Sequence, residues 1–290
     1  KILNIIIGLF FFLIPLVCFS WWATGHRIVA EIAYQNLNPK AKRAVNRIVS
    51  YMAVEKNGNH HYRHFMDIAT WPDDLKVEDM LMCNGWHFID QYFSEDGTPL
   101  PTTPPENVVW AIPQMETAVA SKKNNSYDRA RALAFLVHFV GDVHQPLHTA
   151  SRVTQALPQG DMGGNLYPIS YTTPDGVPVT ELHALWDGAV DLYPEKGFSA
   201  EPNKERQIRE LANIIQEDDP ASSFGDQVNE LDPTVWAKEG LRIVQQDVYQ
   251  VPSGGTPSAE YLTKNSTMAE TRIALAGYRL AAILNQLLGS

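Results

Sequence analysis

One stretch constrains this chain more than any other: Phe135-Leu136-Val137-His138-Phe139-Val140-Gly141-Asp142-Val143-His144-Gln145-Pro146-Leu147-His148. Its first half is apolar and predicts a buried helix, yet it carries a histidine and an aspartate four residues apart. That spacing sets the imidazole and the carboxylate on one helix face, about one turn from each other. Pro146 is expected to end or kink the helix, and His148 follows two residues later. Such groups in an apolar frame are costly unless something cationic compensates them. A core histidine capped by a neighbouring Asp would explain one pair. The pattern recurs at His183-Ala184-Leu185-Trp186-Asp187, and two pairs with His148 besides favour a multi-metal site.

The frame around these groups is ordinary. With 290 residues, 44% hydrophobic and 19% charged, the chain can bury a sizeable core. Its formal net charge of -10 excludes a sequence-wide basic field that would draw in duplex nucleic acid. Any nucleic acid handled here needs bound metal for much of the positive charge. The two cysteines, Cys18 and Cys83, cannot build a disulfide framework.

Residues 1–20 are a lysine, a long apolar run and a small residue at the end, the pattern of a secretory signal peptide. Asn4, Gly8 and Pro15 weaken the alternative of a membrane anchor, and no basic stop-transfer cluster follows. Cleavage after Ser20 makes Trp21 the mature N-terminus and the product secreted or periplasmic. Apolar spacing then predicts helices over 27–37 and, capped by Asn38 with Pro39 at its first position, over 39 to about 54. Pro72 is expected to close a short helix and push Trp71 to an extended conformation. Further helices are expected over 106–122, 203–217, 227–249 and 259–288, with 151–164 as loop. Residues 166–181 read as a hairpin about Pro174-Asp175-Gly176. The expectation is one mostly α-helical domain over 21–290 with a small β-hairpin.

The suspicious groups along the chain are His26, Asp73, His87, His138, Asp142, His148, His183 and Asp187: five imidazoles and three carboxylates, with no thiolate. A nitrogen-and-oxygen set suits zinc in an open, hydrolytic site rather than a closed structural one. Eight groups exceed what one ion uses, so two or three ions are implied, and Asp142, central in sequence, is the natural bridge. Several zincs suit phosphate-ester hydrolysis, because they make hydroxide available near neutral pH and stabilise the charge that develops on phosphorus. Peptide hydrolysis lacks its His-Glu-x-x-His motif here.

These segments resemble the zinc-dependent, single-strand-specific nucleases and 3'-nucleotidases of the S-one/P-one type. The likeness is carried by Trp21-x-x-x-Gly25-His26, Trp71-x-Asp73, His87-Phe88-Ile89-Asp90, the His138–His148 run, Gly163-Gly164-Asn165, His183-x-x-x-Asp187 and Ala276-Gly277-Tyr278-Arg279-Leu280-Ala281, in the family's order. The resemblance implies the helical fold shared with zinc phospholipase C and a three-zinc cluster. One zinc would take Asp73, His87, His138 and Asp142. A second, bridged through Asp142, would take His26 with the α-amino nitrogen and carbonyl oxygen of Trp21. The third would take His148, His183 and Asp187. A hydroxide between the paired zincs would attack phosphorus in line, leaving 5'-phosphate products. Substrates would be single-stranded DNA and RNA and 3'-nucleotides. Phe88 would stack on a base, Asp90 would bond its edge, and Asn165 would approach the scissile phosphate. The enzyme would act as a monomer without a stable protein partner.

Two features depart from the family pattern. Lys76 stands where an arginine near the phosphate is common, keeping the charge but losing the bidentate fork. The segment between His148 and Gly163 is longer than in the fungal members. A zinc phospholipase C is the closest alternative, but its last ligand is typically glutamate where this chain has Asp187. A non-catalytic zinc-binding or membrane-tethered protein would need closed coordination and a persistent leader. His60, His61 and His64 read as solvated, His144 as a neighbour of the site. Asn124-Asn125-Ser126 and Asn265-Ser266-Thr267 are glycosylation sequons, relevant only in a secreted eukaryotic protein. The missing disulfides and short leader lean to a bacterial source.

Overall fold

A computed structural model describes residues 21–52, 62–77, 81–193 and 203–289. The leader, Cys18, His60 and His61 lie outside them, as does the side chain of Lys76. Nine α-helices and four short strands are described. They are α1 (Ala23–Gln35), α2 (Pro39–Val49), α3 (Trp71–Val77), α4 (Val108–Ala120), α5 (Ser126–Asp142), α6 (Leu182–Asp187), α7 (Lys204–Asp218), α8 (Pro233–Ile243) and α9 (Ala259–Leu288). The strands are β1 (Tyr92–Ser94), β2 (Ser151–Val153), β3 (Pro168–Thr172) and β4 (Pro178–Glu181).

Helix starts follow their capping residues. Asn38 accepts from the backbone N–H of Lys40 and Ala41, with Pro39 following, and Asn107 accepts from Val109 and Trp110. Asn125, Asp232 and Ser258 cap α5, α8 and α9 in the same way. Each such cap is worth about 1 kcal/mol over alanine. Helix α9, 30 residues long, is the spine, and α1, α2, α4, α5 and α7 pack against it. Gly277 permits the closest approach, since a Cβ there would lie 2.5 Å from Ile32 on α1. Asn265 sits inside α9 at 2% exposure, its Nδ2 donating to the Tyr261 carbonyl. Its sequon is therefore closed to modification in the folded chain.

Several sequence expectations need correction. Trp71 is helical (φ -56, ψ -40), not extended, and α3 begins there. Pro72 occupies the first turn, where its missing N–H costs nothing, which outweighs its bias against a helical predecessor. Helix α1 spans Ala23–Gln35 rather than 27–37, so His26 lies in its first turn. As expected of Pro146, helix α5 ends before it, at Asp142, with Gln145 held extended (φ -78, ψ 117) by the proline after it. The helix expected over 227–249 starts only at Pro233 and finishes in a π turn, Val244–Val248. Residues 151–164 are not all loop, since β2 pairs in parallel with β1. The hairpin β3–β4 forms as expected.

The β1–β2 pair governs the site. It sets the residues after His87 alongside those after His148, with Tyr92 opposite Ser151 and Ser94 opposite Val153. Just ahead of it the Ile89 N–H donates to the His148 carbonyl at 2.8 Å, and His148 Nδ1 donates to the His87 carbonyl at 2.9 Å. Two ligand-bearing segments some sixty residues apart in sequence are thus locked together.

Candidate metal centre

Eight of the singled-out side chains assemble into three groups whose possible ligand atoms lie within 4.8 Å of one another: His26, His138 and Asp142; Asp73, His87 and His138; and His148, His183 and Asp187. In the first two, Asp142 Oδ1 is 3.3 Å from His26 Nε2, and its Oδ2 is 2.9 Å from His87 Nδ1 and 3.3 Å from His138 Nε2. Asp73 Oδ1 lies 3.4 Å from His138 Nε2 and 3.8 Å from His87 Nδ1. In the third, His183 Nε2 is 3.4 Å from Asp187 Oδ2. Each oxygen of Asp142 therefore faces a different set of imidazoles, as a bridging carboxylate would. All but Asp73 are buried.

The backbone fixes which nitrogen each ring offers. His138 Nδ1 meets the Ala69 carbonyl at 2.7 Å, His148 Nδ1 that of His87 at 2.9 Å, and His183 Nδ1 that of Gly163 at 2.7 Å. A carbonyl only accepts, so Nδ1 carries the hydrogen and Nε2 presents a lone pair to the site. Gln145 adds a further anchor, its Nε2 donating to Asp187 Oδ1 at 2.7 Å while its Oε1 accepts from the Leu147 N–H at 2.6 Å. Trp21 is fully buried beside the cluster, and its Nε1 donates to the Gly141 carbonyl at 3.0 Å. The Trp22 N–H donates to the Asp187 carbonyl.

The residues fit metal on three counts. Both ring nitrogens of His26 and Asp142 Oδ1 are buried without a hydrogen bond, a costly state that a cation would relieve. His138 Nε2 and His87 Nδ1 stand 3.0 Å apart beside two carboxylates, and the spacings of about 3–3.8 Å are those of donors on one tetrahedral ion, roughly 3.3–3.6 Å for bonds of 2.0–2.2 Å. The electrostatics agree. Burial pushes the Asp142 carboxyl up, but His138, His26 and His87 override it and hold it well below the usual range. Burial, then His138, depresses the His26 imidazole, with Asp142 and Asp73 opposing. Burial raises Asp187 to about 7, against His183 and Gln145 and reinforced by Asp73 and Asp142. That last coupling ties the third group electrostatically to the other two.

The family model for S1/P1 Nuclease matches residues 21–289. The chain belongs to that family. Among its relatives are Endonuclease 3 of Arabidopsis thaliana, 27% identical over 92% of this chain and 88% of that protein, and Nuclease S1 of Aspergillus oryzae, 27% identical over 92% and 91%. Nuclease P1 of Penicillium citrinum is 27% identical over 93% of this chain and 98% of its own length. The chain is thus a hydrolase acting on phosphodiester bonds, with the mostly α-helical architecture of that family.

Around the metal groups, Phe88 and Asp90 are half-buried on the segment leaving His87. Tyr92 donates a hydrogen bond to the Asp90 carboxyl, which burial and then Asp161 push up to about 6. Asn165 is half-buried after Met162, Gly163 and Gly164, all at positive φ, and its Nδ2 donates to the Met162 carbonyl at 2.8 Å. His64 is exposed, 2.9 Å from Glu205. His144 is buried outside the metal groups, its Nδ1 donating to the Val140 carbonyl and its Nε2 accepting from Arg279. Cys83 is a free thiol. Among the described residues no helix is long and apolar enough to cross a membrane. Sequence reasoning gave Gln145 no role and did not see why glycine is needed at Gly141 or Gly163. A Cβ on Gly141 would sit 2.7 Å from His26 Nδ1, and one on Gly163, at φ +61, would sit 2.3 Å from the Leu147 carbonyl. The signal for the two glycines was their place next to Asp142 and in the Gly163-Gly164-Asn165 segment.

Proposed function

We propose that the chain is a secreted, zinc-dependent endonuclease that cuts single-stranded DNA and RNA to 5'-phosphate products and also removes phosphate from 3'-nucleotides. The observation that carries the reading is the convergence of His26, His87 and His138 on the two oxygens of Asp142, with Asp73 beside His87 and His138 and His148 of the third group bonded to the His87 carbonyl. One zinc would rest on Asp73, His87, His138 and Asp142, a second on Asp142, His26 and the Trp21 terminus, and a third on His148, His183 and Asp187. Bound there, zinc supplies hydroxide near neutral pH and neutralises charge on the phosphate.

The chain's own residues do the rest. Asp142, facing His26 with one oxygen and His87 and His138 with the other, would hold both ions of the pair. Asn165 and Lys76 bind the scissile phosphate, Lys76 as a point charge rather than a fork. Phe88 stacks on a base and Asp90 bonds its edge, which requires an unpaired base and so selects single strands. An α-amine titrates near 8, so metal displaces its proton at little cost, whereas an internal Trp21 amide is a poor ligand. Removal of the leader therefore completes the site.

The deciding experiment joins metal analysis to hydrolysis of single-stranded DNA, RNA and 3'-AMP before and after chelation. About three zincs per chain and loss of all three activities on chelation are expected. Phosphocholine release from lecithin without nucleotide release would overturn the reading. N-terminal sequencing of the active form should begin at Trp21.

A further inference from the structure

Aromatic side chains run without a break from the metal centre to the surface. The Phe139 ring lies 5.1 Å from His87 and 5.3 Å from Phe135. Phe135 lies 6.4 Å from Trp86, and Trp86 5.4 Å from Trp110. The run ends at Trp110, 38% exposed, the one tryptophan among the exposed large hydrophobics of the described residues. Trp86 directly precedes His87 and Phe88 in sequence, and the Val108 N–H at the start of α4 donates to the Phe88 carbonyl at 3.1 Å. The ring pair is therefore fixed to the same segment as the metal and base-stacking residues.

A cation accompanies the aromatics. Arg131 is exposed on α5, one turn before Phe135, so the two share a helix face. Its guanidinium lies 4.4 Å above the ring of Tyr127, another turn back. From Phe135 to Tyr127 this face extends along α5 for about 12 Å at 1.5 Å per residue. In a chain of net charge -10, this face carries an exposed arginine stacked on Tyr127, one turn from the Phe135 ring that meets Trp86. Stacking faces with an adjacent cation suit an unpaired, negatively charged strand, since every base offers a π-face and every phosphate a charge.

We propose that Trp110 and Trp86, with Arg131 beside them, form an accessory platform for an unpaired nucleobase and its phosphate in the strand flanking the scissile bond. This rests on the nuclease reading above and extends it. Continuity with the Phe88 segment names the occupant, a stretch of the substrate strand rather than a separate ligand. A longer strand held at Phe88 offers the platform more flanking bases than a mononucleotide or dinucleotide does.

The test compares kcat/KM for a hexanucleotide with that for a dinucleotide, using the metal-loaded chain. Truncating a stacking platform costs about tenfold in affinity, so Trp110→Ala should lower the hexanucleotide-to-dinucleotide ratio about tenfold, through KM rather than kcat. Trp110→Phe, which keeps a ring, should restore most of it. Arg131→Gln should lower the ratio less and flatten its salt dependence. A ratio unchanged in Trp110→Ala overturns the platform while leaving the active site intact. A wild-type dimer that Trp110→Ala converts to monomer overturns it too, since the rings would then seat a second copy of the chain. Hydrolysis of neither strand by the wild-type chain would overturn the nuclease reading of the site and the platform with it.

Discussion

Gly141 separates two ligands by the width of a missing methyl group. Alanine in a helix interior ordinarily gains about 1 kcal/mol over glycine, but here its Cβ would press to 2.7 Å from His26 Nδ1. His26 cannot retreat, because its ring is stacked 3.9 Å from that of His138. Overpacking costs about 1–3 kcal/mol, so Gly141→Ala should melt lower than the wild type and lose at least about tenfold in activity. Gln145→Leu removes the amide that orients Asp187 and should weaken metal retention at the third group about 10–100-fold, read by chelator titration. Asp90 gives a pH signature. Its carboxyl is raised to about 6 by burial and by Asp161, against the Tyr92 hydroxyl, so it is neutral below that pH and charged above it. As pH falls through 6, KM for bases whose edge donates hydrogen bonds should rise, and Asp90→Asn should remove that dependence. Among the eight grouped side chains, His138 with Asp142 and His183 with Asp187 were legible because imidazole and carboxylate at i,i+4 are conspicuous in apolar sequence. His26, Asp73 and His87 have no such spacing and stood out through the family likeness. Gln145 was not legible, since an amide in a turn carries no such pattern.

The C-terminal turn of α5, which carries Asp142, is held from outside by α9. Arg272 Nε donates to the His144 carbonyl and Arg279 Nη1 to His144 Nε2, while both arginines pair with Glu239 of α8 at 2.8 Å. These arginines are buried, so Glu239→Gln leaves two cations short of charge and should cost about 3–5 kcal/mol, seen as a lower melting temperature. Elements with a strong local signal were readable in advance: α2 from Asn38-Pro39, α9 from its long apolar spacing, the hairpin from its Pro-Asp-Gly turn. The β1–β2 pair was not, because three residues on each strand join across a separation near sixty and no periodicity develops over so short a run. Helix α8 was misjudged at its start because apolar spacing continues upstream, whereas Asp232 and Pro233 supply the cap that decides where it begins.

Across the whole molecule, a centre that joins α1, α3, α5, α6 and the short helical turns Leu81–His87 and Pro146–Thr149 should stabilise the fold when filled. Chelation is expected to lower the melting temperature, and added zinc to restore it, by the linkage between ligand binding and folding. With an acidic surface and few cations to meet a strand, the salt dependence of kcat/KM should be shallow, a log–log slope no steeper than about -2. One burial reaches beyond the native state. Because Asn265 is sealed within α9, an oligosaccharyltransferase could reach it only while the nascent chain is still open, and a sugar attached then would bar the spine from closing. Production in a eukaryotic secretory host therefore sets carbohydrate transfer against folding at this one asparagine. Thr267→Ala, which erases the acceptor motif at the cost of one exposed helix hydroxyl, should raise the yield of active enzyme there and change nothing in a host that lacks the transferase.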